Sequence, residues 1–225
     1  MENIKTKLIT QTIDEGVWYA DDVFIQDNNE NVKVVELMKK VLIKYGYIVD
    51  NEDFQFEIFD DFISCFGAGG DRHCEKGYNK LILPCMIEVA YKDGFESNVA
   101  FMDILKDKYD FEYLEIMKKY NLSFIQIYVI ISLLHEFGHI RHSQIEGRAY
   151  GEFTTAIFSE YDYPPIPLKF NYDSFYEFSK KYRETRLERY ADRFAITVFR
   201  KHFNAWIYLA KKYVRTDKYI SIGEY

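Results

Sequence analysis

One segment constrains this chain more than any other: an apolar run from Phe124 to Leu134 that leads directly into His135-Glu136. Ser123 followed by Gln126 has the spacing of a capping box, in which each side chain satisfies a free backbone N–H at a helix start. The spacing predicts a helix from Ser123 to about His142. The run is shorter than the roughly 20 apolar residues of a bilayer span, contains Gln126 and ends in titratable groups, so it is not a transmembrane helix.

The rest of the chain reads as one continuous unit of 225 residues, long enough to bury a core without staples. An aromatic share of 18% excludes a disordered chain, and a net charge of −7 argues against nucleic acid or an anionic membrane as partner. The start, Met1 to Lys7, lacks the features of a signal peptide. Cys65, Cys74 and Cys85 form no C-x-x-C pair and suit free thiols in a reducing compartment. A cytoplasmic protein is expected.

An N-terminal α/β part is expected over about 1–100 and a helical part over about 101–225, within a single domain 1–225. Val34, Met38, Val41, Leu42 and Tyr45 have helical spacing, with Gly46 as the stop. Phe54–Phe59 alternates like a strand, and Lys80–Leu83 is extended up to Pro84. Gly67 to Cys74 reads as a turn, because it lacks the Lys-Ser/Thr of a phosphate loop. Periodicity becomes helical from about Phe101, fades between Gln144 and Asn171 where three prolines cluster, and returns from Ser174 to Tyr213 with a break somewhere inside.

The chemistry lies in His135-Glu136-Phe137-Gly138-His139. Residues four apart share a helix face, so His135 and His139 can hold one metal ion while Glu136 stands beside it as general base. A second element, Glu188-Arg189-Tyr190-Ala191-Asp192, begins 49 positions after His139. Two imidazoles plus the Glu188 carboxylate make a catalytic Zn²⁺ set that leaves a position open for water. Asp192, one turn further, can accept the other ring N–H of a ligand histidine and orient it. The metzincin continuation fails, because it requires Gly at 142 and His at 145 where the chain has His142 and Ile145.

These pieces, His135-Glu136-x-x-His139 and Glu188-x-x-Ala191-Asp192, resemble the signatures of gluzincin zinc metallopeptidases, with similarity to the ImmA/IrrE type and to soluble relatives of the HtpX type. The resemblance covers about 123–142 and 184–198, with a weaker echo at Tyr78–Pro84, where such proteins place a substrate-aligning edge strand. It implies an α+β, zincin-like fold, a small twisted sheet packed on an active-site helix with a C-terminal helical part. The implied function is hydrolysis of peptide bonds by a metal-activated water, with a protein or peptide substrate such as a regulatory repressor. The alternative is a non-catalytic, zinc-stabilised binding module on the same scaffold, in which a fourth protein ligand such as His142 would close the site. The basic run of Lys180, Lys181, Arg183, Arg186, Arg189 and Arg193 reads mainly as a solvated face. An oxyanion donor is left open among Tyr150, Tyr190, Arg189 and Arg193.

Overall fold

The computed structural model describes residues 7–14, 17–24, 30–49, 55–60, 67–70, 79–84, 87–148 and 172–214, with side chains over 34–49, 98–148 and 172–214. Five strands come first: β1 (Lys7–Asp14), β2 (Val17–Phe24), β3 (Gln55–Asp60), β4 (Gly67–Gly70) and β5 (Asn79–Pro84). Helix α1 (Glu30–Lys44) falls between β2 and β3. After β5 come α2 (Ile87–Tyr109), α3 (Tyr113–Tyr120), α4 (Phe124–Glu146), α5 (Tyr172–Tyr182), α6 (Arg186–Lys201) and α7 (Phe203–Tyr213). The backbone pairs the strands as β2-β1-β3-β5-β4, antiparallel at the two outer pairs and parallel at the two inner ones.

The expected α+β, zincin-like fold, organised by a small twisted sheet on the active-site helix, is corrected here: the described residues are predominantly helical. Of the residues whose side chains are described, 84% are helical and none lies in a strand. The physical reason is α4. It is buried on every side, from Ile127 to Ile140 without interruption, and mostly apolar, so it needs cover all round. Val35, Met38 and Leu42 of α1, Met102 and Leu105 of α2, Val198 and Phe199 of α6, and Trp206 of α7 join it in one hydrophobic cluster. Trp206 is completely buried and donates its Nε1–H to Val198 O at 3.0 Å, so its one polar atom is satisfied.

Two smaller expectations change as well. Gly67–Gly70 is strand β4 rather than a turn, and β5 lies between β3 and β4, so it is not the edge strand. Helix α2 begins at Ile87, earlier than Phe101, and the helical stretch is interrupted at Asp110, whose φ of 50° is left-handed. Arg200 Nη2 donates to the Tyr109 and Asp110 carbonyls there, which satisfies the end of α2.

Other boundaries follow the sequence signals. Gly46, φ 71°, stops α1. Ser123 Oγ accepts from Gln126 N and Gln126 Oε1 accepts from Ser123 N, so the capping box of α4 forms. Its other end is Gly147, φ 64°, one turn beyond the expected limit of His142. Both ends of α4 are tied down by glutamines. Gln126 Nε2 donates to Ala210 O and Val214 O, while Gln144 exchanges two hydrogen bonds with the Val49 backbone. The long C-terminal helical run breaks at 183–185 and again at His202. Cys65, Cys74, Cys85, His73, Tyr150 and the proline cluster lie outside the described residues.

Candidate metal centre

Helix α4 carries His135, Glu136 and His139, and α6 carries Glu188 and Asp192. The two helices meet at Gly138 and Ala191. A Cβ placed on Gly138 would lie 2.8 Å from Ala191 Cα and 3.1 Å from its carbonyl oxygen, so only glycine permits this approach. Thr185 starts α6 by accepting from Glu188 N, which puts Glu188 in the first helical turn. Thr185-x-x-Glu188 is a capping spacing that locates the start of α6 from sequence.

The approach brings three ligand atoms together. His135 Nε2 and His139 Nε2 are 3.0 Å apart; Glu188 Oε2 is 3.2 Å from the first, and its Oε1 is 3.4 Å from the second. Zinc with ligands at about 2.0–2.1 Å has neighbouring ligand atoms about 3.3 Å apart, close to the separation of the two imidazole nitrogens and to the distance from each to its nearer Glu188 oxygen. The Glu136 carboxylate also has an oxygen within 4.8 Å of the histidine nitrogens. His135 Nδ1 lies 2.9 Å from Asp192 Oδ1, an ion-pair distance at poor hydrogen-bond alignment.

Charge separates the two imidazoles. Burial pushes His139 down to about 3, leaving it neutral and able to ligate. Burial also lowers His135, but its bonds to Asp192 and Glu188 outweigh that and push it up to about 9. Glu188, which burial alone would raise, is held below the usual carboxylate range by His139, His135 and Arg183. Glu136, Glu188 and Asp192 are all buried, at 8%, 3% and 0% exposure. Arg183 is the guanidinium beside them. Three buried carboxylates against one guanidinium and one protonated imidazole leave the cluster negative, and a divalent cation would take the place of the His135 proton.

His142 stands apart from this cluster. Its ring stacks on Tyr190 at 4.1 Å, and its Nε2 faces Glu146 Oε1 at 3.9 Å. His142 therefore adds no donor atom to the group formed by His135, Glu136, His139 and Glu188. Of the candidate oxyanion donors, Arg189 and Arg193 are exposed and Tyr190 is engaged with His142.

Two site residues were not singled out from sequence. Arg183 Nη1 is 2.5 Å from Asp192 Oδ1 and 3.6 Å from Glu188 Oε2. The Tyr182 hydroxyl bonds to Glu188, and burial together with that carboxylate raises its pKa. Both lie at the end of α5, and both border a cavity of about 360 Å³ that reaches His135 and Glu136 between Phe101, Tyr128 and Phe178.

Among the described residues no helix is long and apolar enough to cross a membrane. Comparison of the chain with family profiles, with characterised proteins and with solved structures finds no match.

Proposed function

We propose that the protein is a zinc-dependent peptide hydrolase in which His135, His139 and Glu188 hold the metal and Glu136 is the general base. The observation that carries this reading is the convergence of two imidazole nitrogens and one carboxylate at 3.0–3.4 Å, with a second, separate carboxylate beside them. Two imidazole nitrogens with a carboxylate favour Zn²⁺ over the hard cations, which prefer all-oxygen cages. When bound there, the ion polarises the scissile carbonyl and lowers the pKa of the attacking water.

The protein's own groups do the rest. Glu136 takes a proton from that water as its oxygen attacks the carbonyl carbon. As the C–N bond breaks, Glu136 returns the proton to the departing amine. Asp192 keeps His135 in the tautomer that presents Nε2 to the ion. The aromatic walls of the neighbouring cavity suit a bulky apolar side chain next to the cut bond. A protein or peptide substrate, including a regulatory protein, and a cytoplasmic setting belong to the same proposal; the setting is supported by three cysteines without a C-x-x-C pair.

The test compares wild type with Glu136→Gln, both loaded with zinc, on a mixed peptide library read by mass spectrometry. Wild type should create new termini flanked by bulky apolar residues. The variant should keep its zinc and fold and lose at least about 100-fold in rate. Equal behaviour of the two proteins would leave the zinc-stabilised binding module as the reading.

A further inference from the structure

We infer that Arg183 is a positioning residue that holds Glu188 and Asp192 in ligand geometry before any ion arrives, an inference that rests on the metal reading above. Three carboxylates, Glu136, Glu188 and Asp192, are buried within one cluster. Buried carboxylates of like charge repel and relax apart unless a cation stands among them. Arg183 stands there. Its Nη1 reaches Asp192 Oδ1 at 2.5 Å and lies 3.6 Å from Glu188 Oε2, so one nitrogen spans the metal ligand and the carboxylate that orients His135.

The guanidinium is itself held in place. Its carbon lies 3.9 Å from the centre of the Phe101 ring, a stacking contact that fixes the plane of the fork. Its backbone is also secured. Arg183 N bonds to Ser179 O, Lys108 Nζ donates to Arg183 O, and Lys108 pairs with Glu184 at 2.5 Å. The next residue, Thr185, caps α6. The turn that ends α5 thus delivers Arg183 to the base of the helix that carries Glu188.

The sign of one measurement separates this role from that of a neighbouring charge. A cation near a metal site repels the incoming ion, so its removal should tighten binding if charge were all it contributed. Removal of a positioning residue should weaken binding instead. Zinc affinity is measured by competition with a chromophoric chelator for wild type, Arg183→Leu and Arg183→Lys, alongside thermal melts in excess chelator. We expect Arg183→Leu to bind zinc about 10–100-fold more weakly, the range for residues that orient ligands. Lysine keeps the charge but cannot lay a planar group on Phe101, so Arg183→Lys should recover only part of the loss.

If Arg183→Leu does not fold, Phe101→Leu serves in its place, since it removes the stacking and leaves the charge; it should weaken zinc binding by a smaller factor. Arg183→Leu with equal or tighter affinity, or unchanged affinity in both Phe101→Leu and Arg183→Lys, overturns the inference alone. A wild-type protein that takes up no zinc overturns the metal reading and this inference with it.

Discussion

Replacing Gly138 by alanine tests whether helix contact sets the metal geometry. The added Cβ would sit 2.8 Å from Ala191 Cα and 3.2 Å from Phe194 Cβ. Carbon atoms in contact prefer about 3.5–4.0 Å, so α6 must retreat by about 0.7 Å or more. Glu188 lies one turn before Ala191 on the same helix. A shift of that size carries its oxygens from 3.2 and 3.4 Å to near 4 Å from the histidine nitrogens. Metal sites tolerate only about 0.2 Å of error in ligand distance. Zinc affinity should therefore fall at least about 10-fold, in line with other losses of ligand alignment. Global stability should fall by about 0–2 kcal/mol, too little to unfold the domain. Overpacking costs about 1–3 kcal/mol, and exchanging glycine for alanine inside a helix returns about 1 kcal/mol. Chelator competition reads the first quantity and a thermal melt in excess chelator the second. Wild-type affinity in Gly138→Ala would refute the claim that the contact of α4 with α6 places Glu188.

Three further outcomes are expected. Glu188→Ala should lose most of its zinc by elemental analysis, because two histidines alone make a poor site; full retention would move the third ligand elsewhere. Asp192→Ala should keep the fold and weaken zinc binding by about 10–100-fold, and wild-type affinity would remove Asp192 from the site. His142 is pushed down to about 4 by burial and by Arg186, with Glu146 opposing. Below its ordinary pKa of 6.5 the unfolded chain takes up a proton that the folded chain refuses, so stability falls as pH drops from 6.5 towards 4. His142→Phe, which keeps the stack on Tyr190, should flatten that slope in chemical denaturation of the metal-free protein; an unchanged slope would show that His142 does not contribute to it.

The residues legible in sequence are those whose relation is fixed by a single helix. His135 and His139, or Glu188 and Asp192, share a face by four-residue spacing, and nothing tertiary can alter that. The Ser123–Gln126 cap and the Gly46 stop are equally local. Arg183 and Tyr182 were hidden because their meaning depends on where the turn after α5 lies against α2 and α6, so by composition they belonged to a basic, solvated run. The fold class was misjudged for a related reason. Alternation at Phe54–Phe59 and Lys80–Leu83 does signal strands, but it does not say which layer builds the core. That role falls to α4, which is buried on every side and draws helices onto it. The early start of α2 was hidden because periodicity after Pro84 does not separate strand from helix.

The paired glutamine ties on α4 make that helix a beam fixed at both supports. Gln126 clamps one end to the α7 carbonyls, and Gln144 clamps the other to the backbone at Val49. Midway, the close contact of Gly138 with Ala191 and the ion pairs of His135 and His139 with Glu188 set the same rotation. Rolling by one residue turns the face by about 100°, enough to swing both imidazoles away from α6. The two amide ties thus act together with the Gly138 contact to keep the face that bears both imidazoles turned towards Glu188.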